Sequence, residues 1–187
     1  MTVYTLSLVV VGLLSVTSVV DLFGPKMGPY YLEIERFADC KDQGSRKIVV
    51  GTKITKAGRG KYLFKENFTF LVPVDNDFKE HVELQKWGNG GWRPKYMEMK
   101  FKNCDEIFNV LKDMYKNLMK SAGVNLEKCP IPAGNYTAKD FIIELNVEKA
   151  IPVMEYGKYR AIMNLIYKDE KVGCMMFYLE VIPKSLA

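Results

Sequence analysis

The last third of the chain constrains the fold most, because apolar and polar residues alternate there through three consecutive stretches. It opens at Cys129-Pro130, where the proline blocks helix and starts an extended segment. In the first stretch Phe141, Ile143 and Leu145 share a face, with Asp140 and Glu144 on the other. In the second, Tyr159, Ala161, Met163, Leu165 and Tyr167 oppose Lys158, Arg160, Asn164 and Lys168. In the third, Met175, Phe177, Leu179 and Val181 oppose Glu180. A period of two means strands with one buried and one wet face. The buried face is rich in Met, Phe and Tyr, side chains that either pack a core or line a space for an apolar ligand.

The rest of the chain continues this pattern with one exception. Strands are expected over Tyr31 to Cys40, Ile48 to Ile54 and Tyr62 to Val74. A hairpin of His81 to Trp87 and Trp92 to Lys102 follows, its Gly88-Asn89-Gly90-Gly91 loop suited to the positive φ angles of tight turns. From Asp105 to Ser121, apolar residues recur at Ile107, Phe108, Leu111, Met114, Tyr115 and Leu118, the spacing of an amphipathic helix. Asn103 or Asp105 can cap its start and Gly123 can end it. Seven or eight antiparallel strands with one helix, over about residues 105–121, predict an all-β fold, a two-sheet sandwich or cup.

Residues 1–20 carry no charged side chain before Asp21, which predicts a cleaved signal peptide followed by a single domain over residues 21–187. Four cysteines (Cys40, Cys104, Cys129, Cys174) then suggest two disulfides, with all three connectivities open on spacing alone. The sequons at Asn67 and Asn135 fit the same route and predict glycosylation. The net charge of +5 is dispersed, with no basic run of the kind that binds nucleic acid.

Chemistry-bearing motifs are sparse in the chain. The single histidine, His81, reads as an exposed strand residue beside inward Val82 and Leu84. No nucleophile elbow, phosphate-cradling loop or metal-ligand spacing occurs, and Asp169-Glu170 reads as a turn. No enzyme, cofactor or metal site is expected. Trp87 and Trp92 bracket the hairpin loop, either as a cross-strand pair or as a membrane-contact tip.

The order of these features resembles a known family. Cys40 ends an early strand, Cys104-Asp105 opens the helix, and Cys129-Pro130 precedes Gly134 and Tyr136; Gly157-Lys158-Tyr159-Arg160 and Val172-Gly173-Cys174 complete the pattern. The chain is similar to the ganglioside activator and its relatives in the lipid-recognition (ML) superfamily, which includes insect CheB-type chemosensory proteins. It carries four cysteines where the ganglioside activator has more. The resemblance implies a β-cup that binds lipid between its sheets, Cys40–Cys174 and Cys104–Cys129 pairing, and a membrane-engaging role for Trp92.

The expectation is therefore a secreted, or alternatively lysosomal, non-enzymatic carrier that extracts or presents an amphiphile. Transient membrane contact and delivery to a partner enzyme or receptor would go with that role. The expected lining is Phe68, Phe70, Met97, Met99, Phe101, Phe108, Leu111, Met114, Phe141, Ile143, Met163, Leu165, Met175 and Phe177. Two other readings compete with it. One is a secreted glycoprotein module or co-receptor with a filled core, in a chemosensory or signalling role. The weaker is a hydrolase whose residues meet only in the fold.

Overall fold

The computed structural model describes residues 26–58, 61–110, 112–124, 128–144 and 151–184. The leader expected over residues 1–20 lies outside the described residues. In chain order the strands are β1 (Met27–Gly28), β2 (Tyr30–Ala38), β3 (Ile48–Gly58), β4 (Lys61–Phe70), β5 (Phe78–Gly88) and β6 (Gly91–Phe101). After two helices come β7 (Gly134–Glu144), β8 (Met154–Glu155), β9 (Gly157–Tyr167) and β10 (Glu170–Pro183). The two-residue strands β1 and β8 pair only with each other, leaving eight long strands among the described residues.

Local chemistry explains the turns and caps. Asn89 and Gly90 take φ angles of 53° and 78° between β5 and β6, and Lys168 and Asp169 take 47° and 64° between β9 and β10. Both are two-residue hairpins whose positive φ values match the twist of the flanking strands. The described helical segments, α1 (Cys104–Val110) and α2 (Lys112–Ser121), fall in the stretch whose spacing predicts helix. Asn103 Oδ1 accepts from the Glu106 N–H at 2.9 Å, and Glu106 Oε2 accepts from the Lys102 N–H at 2.8 Å, a reciprocal N-terminal cap. At the far end Gly123, at φ 77°, lets the Val124 N–H reach the Met119 carbonyl at 2.9 Å and close the last turn.

Two antiparallel sheets result. The larger runs β2-β10-β9-β5-β6 and the smaller β3-β4-β7. Along one side the sheets meet directly, with β3 against β10 and β2. Gly173 makes this seam possible: a Cβ there would stand 2.7 Å from the Ile48 carbonyl oxygen, so only glycine lets the backbones come this close. The Cys40–Cys174 disulfide lies beside the seam, with a Cα separation of 5.9 Å.

On the opposite side the helices hold the sheets apart. α2 packs on β7, and α1 touches β5 and β6. The Cys104–Cys129 disulfide ties the start of α1 to the segment where Ile131 and Val74 exchange backbone hydrogen bonds at 2.9 Å. The sandwich is thus closed by strand contact along one edge and propped by helices along the other. Its interior divides into three apolar clusters, centred on Ile107 and Leu165, on Tyr159 and Val181, and on Tyr62 and Phe64.

Candidate functional site

Between these clusters lies a cavity of about 290 Å³, walled by every layer of the fold. Leu32 and Phe37 come from β2, Phe64 and Phe68 from β4, Phe108 and Met114 from the helices, and Met163 and Phe177 from the large sheet. Alternation in the strands and the apolar stripes of the helices aim these side chains inward. Val110 both lines the space and is 48% exposed, which places the end of α1 at the rim. The unbranched Met side chains adjust to irregular shapes more readily than branched ones.

Ten of the residues expected to line a lipid space do flank this cavity: Phe68, Phe70, Met99, Phe101, Phe108, Met114, Met163, Leu165, Met175 and Phe177. Met97 instead packs beside the Tyr159 cluster, and Phe141 belongs to the cluster of Ile34, Tyr62 and Phe64. Leu111 and the side chain of Ile143 lie outside the described residues.

One wall residue breaks the apolar pattern. Glu80, on β5, is 2% exposed and lies between the cavity residues Phe78 and Val82 on the inward face. It is the sole charged group on the wall among the described residues; Tyr115 is the other group there that can titrate. Burial pushes the Glu80 carboxyl up to about 7, because a charged carboxylate is disfavoured away from water. Glu80 is absent from the lining expected from the sequence, although the sequence carries its signal. If Val82 and Leu84 face inward, a period of two puts Glu80 on the same side. The same parity argument extends the inward face of β4 from Phe68 back to Phe64.

The remaining candidates lie elsewhere. His81 faces away from the cavity, with Nε2 3.4 Å from Glu98 Oε1. Trp87 and Trp92 are direct partners in the β5–β6 hairpin, with ring centroids 5.1 Å apart. The Tyr178 ring meets Trp92 edge-to-face at 5.5 Å, with the Arg160 guanidinium 4.9 Å from the Trp92 ring and that of Arg36 3.7 Å from Tyr178. Tyr178 alternates with the cavity residues Phe177 and Leu179, so this aromatic cluster lies on the outer face of the sheet. Asn67 and Asn135 are exposed on the outer face of the small sheet. Both cysteine pairs form as the resemblance implies. A separate cleft of about 320 Å³ is lined by Asp75, Asn76, Asp77, Asp105, Cys129 and Pro130. Asp75 Oδ1 there accepts from the Asp77 N–H at 2.9 Å, ordinary turn chemistry on a polar surface.

A family model described as "Protein of unknown function (DUF1091)" matches residues 80–161, under half of the chain. Comparison with curated proteins returns no match. Among solved structures, a Niemann-Pick type C2 protein from Japanese carpenter ant is 19% identical, with a TM-score of 0.33. That alignment covers 76% of this chain and 96% of the other. So loose a likeness bears on neither lineage nor ligand.

Proposed function

We propose that this chain is a non-enzymatic lipid-binding protein that takes up one aliphatic chain between its sheets and works in an oxidising compartment, secreted or lysosomal. The cavity of about 290 Å³ carries the reading. A space of that size at the centre of a sandwich departs from the dense packing of ordinary interiors. It stands at the lower end of the ~300–1,000 Å³ typical of ligand pockets. The volume therefore favours a single-chain amphiphile over a glycolipid with several acyl tails.

Each methylene moved from water into such a wall contributes about 0.8 kcal/mol, so a chain of modest length offsets the cost of association. The residues that carry the ML-superfamily resemblance support the same function. Two disulfides and no free cysteine among the described residues suit an oxidising compartment. No described helix is long and apolar enough to cross a membrane. The competing glycoprotein module with a filled core requires an interior without such a space, so the cavity favours the carrier.

Native mass spectrometry of protein expressed in a secretory host tests the reading. Mass adducts that release a single-chain lipid on denaturation are expected. Protein that stays empty both from the host and after incubation with fatty alcohols and monoacyl lipids would overturn it.

A further inference from the structure

The inward face of β5 reads Phe78, Glu80, Val82 and Leu84, all 6% exposed or less. Directly opposite Glu80 stand Phe101 on β6 and Leu165 on β9, both on the cavity wall. No hydrogen bond or ion pair holds the Glu80 carboxyl among the described residues. An acid in that position is unfavourable relative to leucine, since at 2% exposure it is withdrawn from bulk water with no bond among the described residues to offset the loss. The outward positions Lys79, His81 and Glu83 already supply this strand with polar surface. A local rule broken in the wall of a cavity, with no compensating bond among the described residues, is a feature typical of functional positions.

We propose that Glu80 selects the cargo by hydrogen-bonding a hydroxyl carried on an otherwise apolar chain. The inference rests on the lipid-carrier reading and narrows it to a ligand class. A hydroxyl both donates and accepts, so it pairs with the ionised carboxylate and equally with the neutral acid. Burial brings the Glu80 carboxyl close to neutrality, where both forms are populated. A carbonyl would suit only the neutral acid, and an ammonium only the carboxylate, at the expense of a buried ion pair. A ligand carboxylate would repel the ionised form. The cargo therefore holds its oxygen inside the cavity and presents hydrocarbon to the remaining wall, a reversal of the head-out arrangement expected of an ordinary amphiphile.

The test uses the full chain from a secretory host, stripped of lipid, with a phenylnaphthylamine probe displaced by n-nonanol or by n-decane, compounds of matched length. Wild type, Glu80→Leu and Glu80→Gln are compared. In Glu80→Leu the affinity for n-nonanol is expected to fall about ten-fold, as for loss of a hydrogen bond to a charged or strongly polar group, while that for n-decane holds or tightens. Glu80→Gln, which keeps a donor and an acceptor, should retain most of the n-nonanol affinity. Should Glu80→Leu fail to fold, the unbranched Glu80→Met serves for the same comparison. An unchanged ratio of the two affinities across these variants, with both compounds still bound, overturns the role of Glu80 and leaves the carrier standing. Failure of the probe and both compounds to bind wild type overturns the carrier reading itself.

Discussion

The backbone N–H of Ile34 donates to the phenolic oxygen of Tyr62 at 2.5 Å, a buried hydrogen bond that joins the edge of the large sheet to the middle strand of the small one. Tyr62 is 1% exposed, and its ring fills the apolar cluster beneath. Tyr62→Phe keeps the ring but strands the amide without a partner. A loss of about 1–3 kcal/mol is expected, read as a lower denaturant midpoint at unchanged slope. No change in midpoint would show that the packing of β2 on β4 does not depend on this bond.

The Glu80 carboxyl gives stability a distinct pH dependence. Its value in the folded protein, about 7, lies above the ordinary 4.5, so between those values the folded state binds more protons than the unfolded one. Stability from this group is full below about pH 4.5 and is lost as pH rises through about 7, with a total of about 3 kcal/mol. Thermal unfolding of wild type minus that of Glu80→Gln, measured from pH 5 to pH 8, should decline with pH. A flat difference would mean that the carboxyl finds a partner in solution.

The two disulfides should contribute unequally. Cys40–Cys174 closes a sequence separation of 134 residues and Cys104–Cys129 one of 25. On chain entropy alone the first is worth about 5 kcal/mol and the second about 3.5 kcal/mol. Paired serine variants compared by urea unfolding are expected to keep that order. The reverse order would point to residual structure in the unfolded chain around Cys40.

Filling the space should abolish uptake while the fold survives. Met163, on β9, lines the cavity and lies opposite Val82 and Met175 in the sheet. Met163→Trp is expected to weaken binding of an apolar fluorescent probe by at least about ten-fold and to cost about 1–3 kcal/mol in stability. Unaltered probe affinity in a folded variant would place the ligand somewhere other than between the sheets.

The two sequons are neighbours in space. Asn67 is paired with Thr137, and Thr69 with Asn135, across the β4–β7 ladder. The Thr137 hydroxyl donates to Asn67 Oδ1 at 3.0 Å and the Thr69 hydroxyl to Asn135 Oδ1 at 2.8 Å. On the secretory route proposed above, glycosidase treatment should remove two mass steps from wild type and one from either Asn67→Gln or Asn135→Gln. An unmodified chain from a eukaryotic secretory host would count against that route.

Much of this architecture was legible because strand alternation is a local property. Met175, Phe177 and Leu179 had to share a face whatever their neighbours, and they do line the cavity. What alternation leaves open is position along the strand. Met97 shares its face with Met99 but packs beside Tyr159, beyond the cavity. Sheet order is equally hidden, since β10 pairs with β2 and β9 with β5 through contacts far apart in sequence. Glu80 was missed for a different reason: its charge suggested solvent, while its register with Val82 already placed it inside.

The stretch between Cys104 and Cys129 walls the cavity with two helices and, among the described residues, adds no strand to either sheet. Substitutions there leave every inter-strand ladder untouched, so the volume of the cavity can change independently of the scaffold. On the carrier reading proposed above, differences in ligand between homologues are expected to concentrate in this stapled insert and at the position of Glu80, with glycine retained at the Gly173 seam.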